Sequence, residues 1–321
     1  MLRQQQEFET STWLTNGHIQ TLASQLWPKN LKYMFWNPCQ RHYVDTATND
    51  VLVVDTYTPK HVDVKADLLI VPGTDGFAGS YYILRMVDRF CQSGFRVHCM
   101  NLRGCGREYF LCKKLYHIGL WQDILLVANN VRIADNLFIL GLSLGGHILL
   151  NLAARADIPD FIKGIATISA PLDFTTTPKW QYNVSQFYHW YFLRLLMRIY
   201  GRLHRHVSTE PIAKINDLED FNHKIMAPMH GYQSSLEYYR ENSVCFQIDK
   251  IKTDTLMIFA KDDPVIPANQ YQKFSPDIHK NSNIKLLLCD YGGHVGFIGE
   301  EDFWAEDHVH RFFHSLLKKV S

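Results

Sequence analysis

Nowhere in the 321 residues do eighteen apolar side chains run together, so the sequence predicts no membrane-spanning helix. The opening stretch MLRQQQEFETSTWLTNGHIQ is polar and has no apolar core, which argues against a secretory signal. An excess of charge of one sign is missing too: 33 Lys and Arg face 32 Asp and Glu, a formal net charge of +1. Without surplus cations to neutralise phosphates, nucleic acid is not expected as a partner. The seven cysteines are scattered, odd in number and contain no C-x-x-C pair, so neither a disulfide framework nor a zinc site is expected. Cys99 and Cys289 fall in apolar runs and read as reduced core residues; Cys105 and Cys112 flank a loop and need not pair. Internal repeats and low-complexity segments are absent as well. Together these absences predict a cytoplasmic globular protein.

What is present is an alternation. Short apolar runs read as strands: VLVVDTY (51–57), DLLIVPG (67–73), FRVHCMNL (95–102), NLFILGL (136–142), IKGIATISA (162–170), DTLMIFAKDD (254–263) and NIKLLLCDYGG (283–293). Between and after them, apolar residues at three- and four-residue steps predict helices over 81–94, 117–133, 144–156 and 301–319. Strands alternating with helices imply βαβ units, hence an α/β fold with a mostly parallel sheet covered on both faces. After Pro171 the rhythm breaks. Residues 172–250 turn aromatic and helical, most clearly in QFYHWYFLRLLMRIYGRLHRHV (186–207). The economical reading is a core of 1–171 and 251–321 interrupted by a helical cap insertion, 172–250.

Within FILGLSLGGHILL (138–150), Gly141-Leu142-Ser143-Leu144-Gly145 fits G-x-S-x-G, with a buried strand before it and a helix after it. A sharp strand-to-helix turn strains its central residue and brings strand and helix together, so only hydrogen fits as the side chain two positions to either side. Such a turn would lift the Ser143 hydroxyl above the sheet and set the Leu144 N–H at a helix N-terminus, able to bind an oxyanion. A chance pattern in a Gly-containing loop is the alternative, and the strand–turn–helix context argues against it.

A serine is inert at neutral pH without a base. On such a sheet the order should be Ser, acid, His, each just past the C-terminal end of a strand. Asp263 follows LMIFAKD and precedes Pro-Val-Ile-Pro, and His294 sits in YGGHVGF directly after the last strand. Asp262 is the competing acid, and either carboxylate could instead cap a turn or helix start. His294 taken alone could be a loop histidine; the three residues in the required order favour the catalytic reading. A second oxyanion donor is expected after an earlier strand, where VPGTDGFAGS (71–80) offers the Thr74 N–H, against a plain turn.

These residues carry a resemblance. The chain resembles the YheT-like branch of the α/β-hydrolase fold superfamily, a group of candidate esterases. WLTNGHIQTL (13–22) is similar to that branch's N-terminal signature with its H-x-Q-T core, NLRGCGRE (101–108) to its N-x-R-G-C segment, LYHIGLWQDI (115–124) to its Y-H-x-G stretch, and AKDDPVIP (260–267) to its acid loop. The match covers most of the chain outside the insertion. It implies a Ser143, Asp263, His294 triad with no metal and no organic cofactor. Two departures stand out: Pro72-Gly73 replaces the usual His-Gly, and His147 replaces the usual Asn, with its side chain expected to point off the helix start.

Other residues have competing readings. His117 and Asp123 form a catalytic pair or, as preferred, a structural hydrogen bond near a helix start. His18 and Gln20 contact the site or, as preferred, tie the N-terminal segment down. His204 and His206 lack a third metal ligand. Arg103 and Arg107 are a cationic rim or a solvated loop. The aromatic helix roofs a pocket for an acyl chain or, less favoured, rests on a membrane face. The expected function is a serine esterase acting on a small-molecule or lipid-like ester with an apolar acyl chain. An acyltransferase or thioesterase with the same triad is the alternative, as is a non-catalytic ligand-binding protein, which the Pro72 departure would favour.

Overall fold

The computed structural model describes residues 8, 10, 14–26, 40–155, 157–176, 186–209, 211–212, 214–299 and 303–320. Trp13 of the N-terminal signature, residues 177–185 of the insertion and residues 301–302 of the last expected helix lie outside them.

After a first helix, α1 (Gly17–Leu26), come β1 (Gln40–Asp45), β2 (Val51–Tyr57), β3 (Ala66–Val71), α2 (Tyr81–Gln92), β4 (Phe95–Met100), α3 (Trp121–Val131), β5 (Leu137–Leu142), α4 (Leu144–Arg155) and β6 (Ile162–Ile168). A long helix, α5 (Gln186–Val207), short helical segments over 218–229 and α6 (Ser235–Asn242) separate β6 from β7 (Thr255–Ala260). α7 (Ala268–Lys280), β8 (Ile284–Cys289) and α8 (Trp304–Val320) complete the chain. The eight strands form one sheet in the order β1-β2-β4-β3-β5-β6-β7-β8. Pairing is antiparallel for β1 with β2 and β2 with β4, and parallel from β4 onward.

The period-two rule explains the two-sided core. On β3, Leu69 and Val71 face one apolar layer with α3 and α4, where Ile124, Val127, Ile148 and Leu152 pack. Leu68 and Ile70 face the other, with Ile83 and Phe90 of α2 and Val309 and Phe313 of α8. Both faces being covered, β3 and β5 are buried at every residue, as their unbroken apolar runs anticipate. The parallel arrangement sends the C-terminal ends of β3, β5, β6, β7 and β8 to one edge, where chain reversals leave room for a site.

Candidate active site

Ser143 sits at φ 50° in a sharp turn between β5 and α4. That left-handed conformation is unusual outside glycine and marks a strained turn. A Cβ on Gly141 would lie 2.6 Å from Gly146 Cα, and one on Gly145 would lie 2.3 Å from the Pro72 carbonyl oxygen, so both positions require glycine. The Ser143 N–H donates to the Ile168 carbonyl at 2.9 Å, pinning the turn to the neighbouring strand.

His294 Nε2 lies 2.8 Å from Ser143 Oγ, and His294 Nδ1 lies 2.9 Å from Asp263 Oδ2. The other oxygen of Asp263 accepts the N–H groups of Val265 and Ile266, both at 2.8 Å, which fixes the carboxylate. Asp262, the competing acid, points elsewhere: its Oδ1 accepts the Gly293 N–H at 2.9 Å. Burial pushes Asp262 up to about 6, with the charge of Asp263 beside it adding to the rise. A hydroxyl, imidazole and carboxylate so linked can pass the hydroxyl proton to the ring while the carboxylate holds the ring's orientation.

The histidine loop is held from three sides. The His294 N–H donates to Thr21 Oγ1 at 2.8 Å, the Val295 N–H to Ser169 Oγ at 3.1 Å, and Gly293 to Asp262. Gln20 braces the same loop further on: its Oε1 accepts from Ile298 N–H at 2.8 Å and its Nε2 donates to the Ile298 carbonyl at 3.1 Å. His18 reaches the other way, with Nδ1 3.2 Å from the Tyr188 hydroxyl and the two rings stacked. The H-x-Q-T core therefore clamps the histidine loop to α5. Gln20 has the tethering role expected of it; Thr21 and Ser169 were not singled out in the sequence, although Thr21 is the last letter of the motif itself.

Thr74 and Leu144 both line space around Ser143. A cavity of about 320 Å³ is bordered by Thr74, Ser143, His294, Tyr188, Phe192 and Leu195. A smaller one of about 130 Å³ also touches Thr74 and Ser143 and runs between Leu144, Phe174, Phe221 and Tyr238. In the Pro72-Gly73 loop, the Gly76 N–H donates to the Gly73 carbonyl at 2.9 Å, closing a turn in which Asp75 stands at φ 56°.

Two expectations, for His147 and Arg103, are corrected. His147 does not point off the helix: it is fully buried, with Nδ1 2.8 Å from the Pro171 carbonyl and Nε2 2.8 Å from the Asn242 carbonyl and 3.0 Å from Asn151 Nδ2. Burial holds its pKa down to about 4, while the carbonyls of Pro171 and Asn242 beside its nitrogens work against that fall. Arg103 is neither a rim nor solvated. It is buried, donating to both oxygens of Asp123 at 2.6 Å and to Asp50 at 2.6 Å, whereas Arg107 is exposed. Asp123 is thus bound to Arg103 and not to His117, whose Nδ1 accepts the Gly119 N–H at 3.1 Å. His204 lies 3.1 Å from the Tyr200 hydroxyl, and among the described residues no group of three or more His, Cys, Asp or Glu could hold a metal ion. Cys105 and Cys112 are buried free thiols.

The sheet order, the elbow and the Ser-His-Asp arrangement define an α/β-hydrolase. Residues 68–301 match the family described as alpha/beta hydrolase fold, and the chain belongs to it. Within that family the resemblance to the YheT-like branch extends over nearly the whole chain: it is 26% identical to YheT of Escherichia coli (strain K12), named as a candidate esterase, over 98% of this chain and 95% of that protein. It is 25% identical to monoacylglycerol lipase of Saccharomyces cerevisiae over 78% of this chain, and 24% identical to phospholipase ABHD3 of Bos taurus over 84%; those alignments span 59% and 63% of the relatives' lengths. Among solved structures, the esterase Pf2001 of Pyrococcus furiosus shares the fold with a TM-score of 0.58 at 15% identity, covering 90% of this chain and 95% of that one.

Proposed function

We propose that the protein is a serine esterase. Ser143 is the nucleophile: as His294 Nε2 accepts its proton, Oγ attacks the ester carbonyl, and the carbonyl electrons move onto oxygen. The N–H groups of Leu144 and Thr74 receive that oxyanion, each donor worth about 3 kcal/mol in the transition state. Collapse expels the alcohol, which takes the proton from His294, and leaves an acyl-enzyme. Water, deprotonated by the same ring, then releases the carboxylic acid and restores Ser143. Asp263 keeps the ring in the tautomer that presents an unprotonated Nε2 and stabilises the imidazolium as it forms.

The observation that carries this reading is the unbroken Ser143–His294–Asp263 chain at 2.8 and 2.9 Å. The substrate class follows from the walls. Tyr188, Phe192 and Leu195 on one side of Ser143 and Phe174 and Phe221 on the other suit two apolar arms meeting at a carbonyl. Residues 172–250 act as the cap that supplies those walls, and relatives named as lipases point to lipid-like esters. The test is hydrolysis of p-nitrophenyl esters of graded chain length. Turnover should rise from acetyl to medium-chain acyl groups and vanish in Ser143→Ala; equal turnover in that variant rejects the proposal.

A further inference from the structure

Helix α5 carries four arginines and not one Asp or Glu in its 22 residues. At about 100° per residue, Phe187, Tyr191, Arg194, Arg198 and Arg205 fall within about 40° of a single line along it, with Trp190 at the edge of the stripe. All of these side chains are exposed, Phe187 by 53% and Trp190 by 52%, while Leu195, Ile199 and Leu203 on the inner side are buried. The aromatic end of the stripe is the cavity mouth, since Phe187 and Tyr191 line it together with Leu22 of α1. Leu22 and its neighbour on the same face, Ile19, are 50% and 44% exposed. Two helices thus surround the entrance with large apolar groups in water, and cations continue from them along α5.

We infer that this face docks the protein on an anionic phospholipid surface. A helix with aromatic side chains at one end, arginines along the same line and no acid to repel phosphate has the chemistry of an interfacial helix. From Phe187 to Arg205 it spans about 27 Å, so it lies flat in the headgroup plane with Arg194, Arg198 and Arg205 on phosphates. Phe187, Trp190 and Tyr191 enter the acyl boundary, and the cavity mouth opens against the bilayer. Delivery of an ester from the bilayer to Ser143 rests on the esterase proposal; docking does not.

The test separates the two. Full-length Ser143→Ala protein is sedimented with vesicles of phosphatidylcholine alone and of phosphatidylcholine with phosphatidylglycerol. It should bind the mixed vesicles, with affinity falling at least about tenfold in Arg198→Glu/Arg205→Glu, less in Arg198→Gln/Arg205→Gln, and measurably in Trp190→Ala. Carried in the parent sequence, these substitutions should leave thermal unfolding and hydrolysis of a soluble short-chain ester unchanged. Absence of sedimentation with phosphatidylglycerol vesicles overturns the inference, as does binding that the charge reversals do not weaken. Vesicle binding by a parent protein that hydrolyses no ester would keep the docking face and discard the esterase reading.

Discussion

Thr21 accepts the backbone N–H of His294 across 273 positions of sequence, at 2.8 Å, while its own hydroxyl donates to the Gly17 carbonyl at 2.7 Å. A side chain of the N-terminal helix therefore sets where the imidazole stands. Thr21→Val keeps the shape but leaves a buried N–H unpartnered, at a cost of about 1–3 kcal/mol. The ring should drift relative to Ser143, lowering kcat about tenfold with KM little changed, and Thr21→Ser should restore it. Ester kinetics of the two variants check this; a change confined to KM would contradict it.

Asp262 and Asp263 are adjacent in sequence and differ in partner: Asp263 meets His294 Nδ1, whereas Asp262 accepts the Gly293 N–H. Asp263→Asn should lower kcat by about three to four orders of magnitude, because the amide no longer enforces the required tautomer of His294. Asp262→Asn leaves the Asp263–His294 bond in place and should cost less than about tenfold near neutral pH. Parallel pH–rate profiles decide it, and equal losses would contradict the assignment.

Arg103 is held between Asp50 and Asp123, both buried. Arg103→Met should destabilise the protein by about 3–5 kcal/mol, because two carboxylates lose their counter-ion inside the fold. Denaturant unfolding measures the loss, while the folded fraction should retain its kcat.

Acid stability carries a definite sign. Burial holds His147 and His230 down to about 4 and His117 down to about 3, against 6.5 for the free side chain. Folding keeps these rings neutral, so their contribution is complete above about pH 6.5 and is lost as pH falls towards 4. Asp262 acts in the opposite direction: with its folded value near 6, it contributes below about pH 4 and loses that contribution as pH rises through 6. Thermal unfolding should therefore show Tm falling below pH 6.5, with a shallower fall in His147→Gln.

The elbow was legible because two periodicities change within a few residues: β5 alternates between two buried layers, and α4 begins directly after Ser143. Asp263 and His294 were legible by their order and by their placement just past two strands. β1 was not, since it is an edge strand on which only Val44 is buried, and QRHYVD has no apolar run to read. α1 escaped for a related reason: its helix GHIQTLASQL leaves Ile19 and Leu22 exposed, so apolar spacing could not separate core from surface. Arg103 and His147 were misjudged because their surroundings are supplied from far along the chain. Asp50 lies 53 positions from Arg103 and Asn242 lies 95 positions from His147. A local sequence window holds charge and helix position, but not the carbonyl or carboxylate that folding brings alongside.

The central claim is that Ser143 is an activated nucleophile. Labelling the folded protein with a fluorophosphonate probe and locating the adduct by mass spectrometry tests it directly. A single adduct on Ser143, lost in His294→Ala, is the predicted result. A folded protein that stays unlabelled, or an adduct that persists undiminished without His294, would contradict the account.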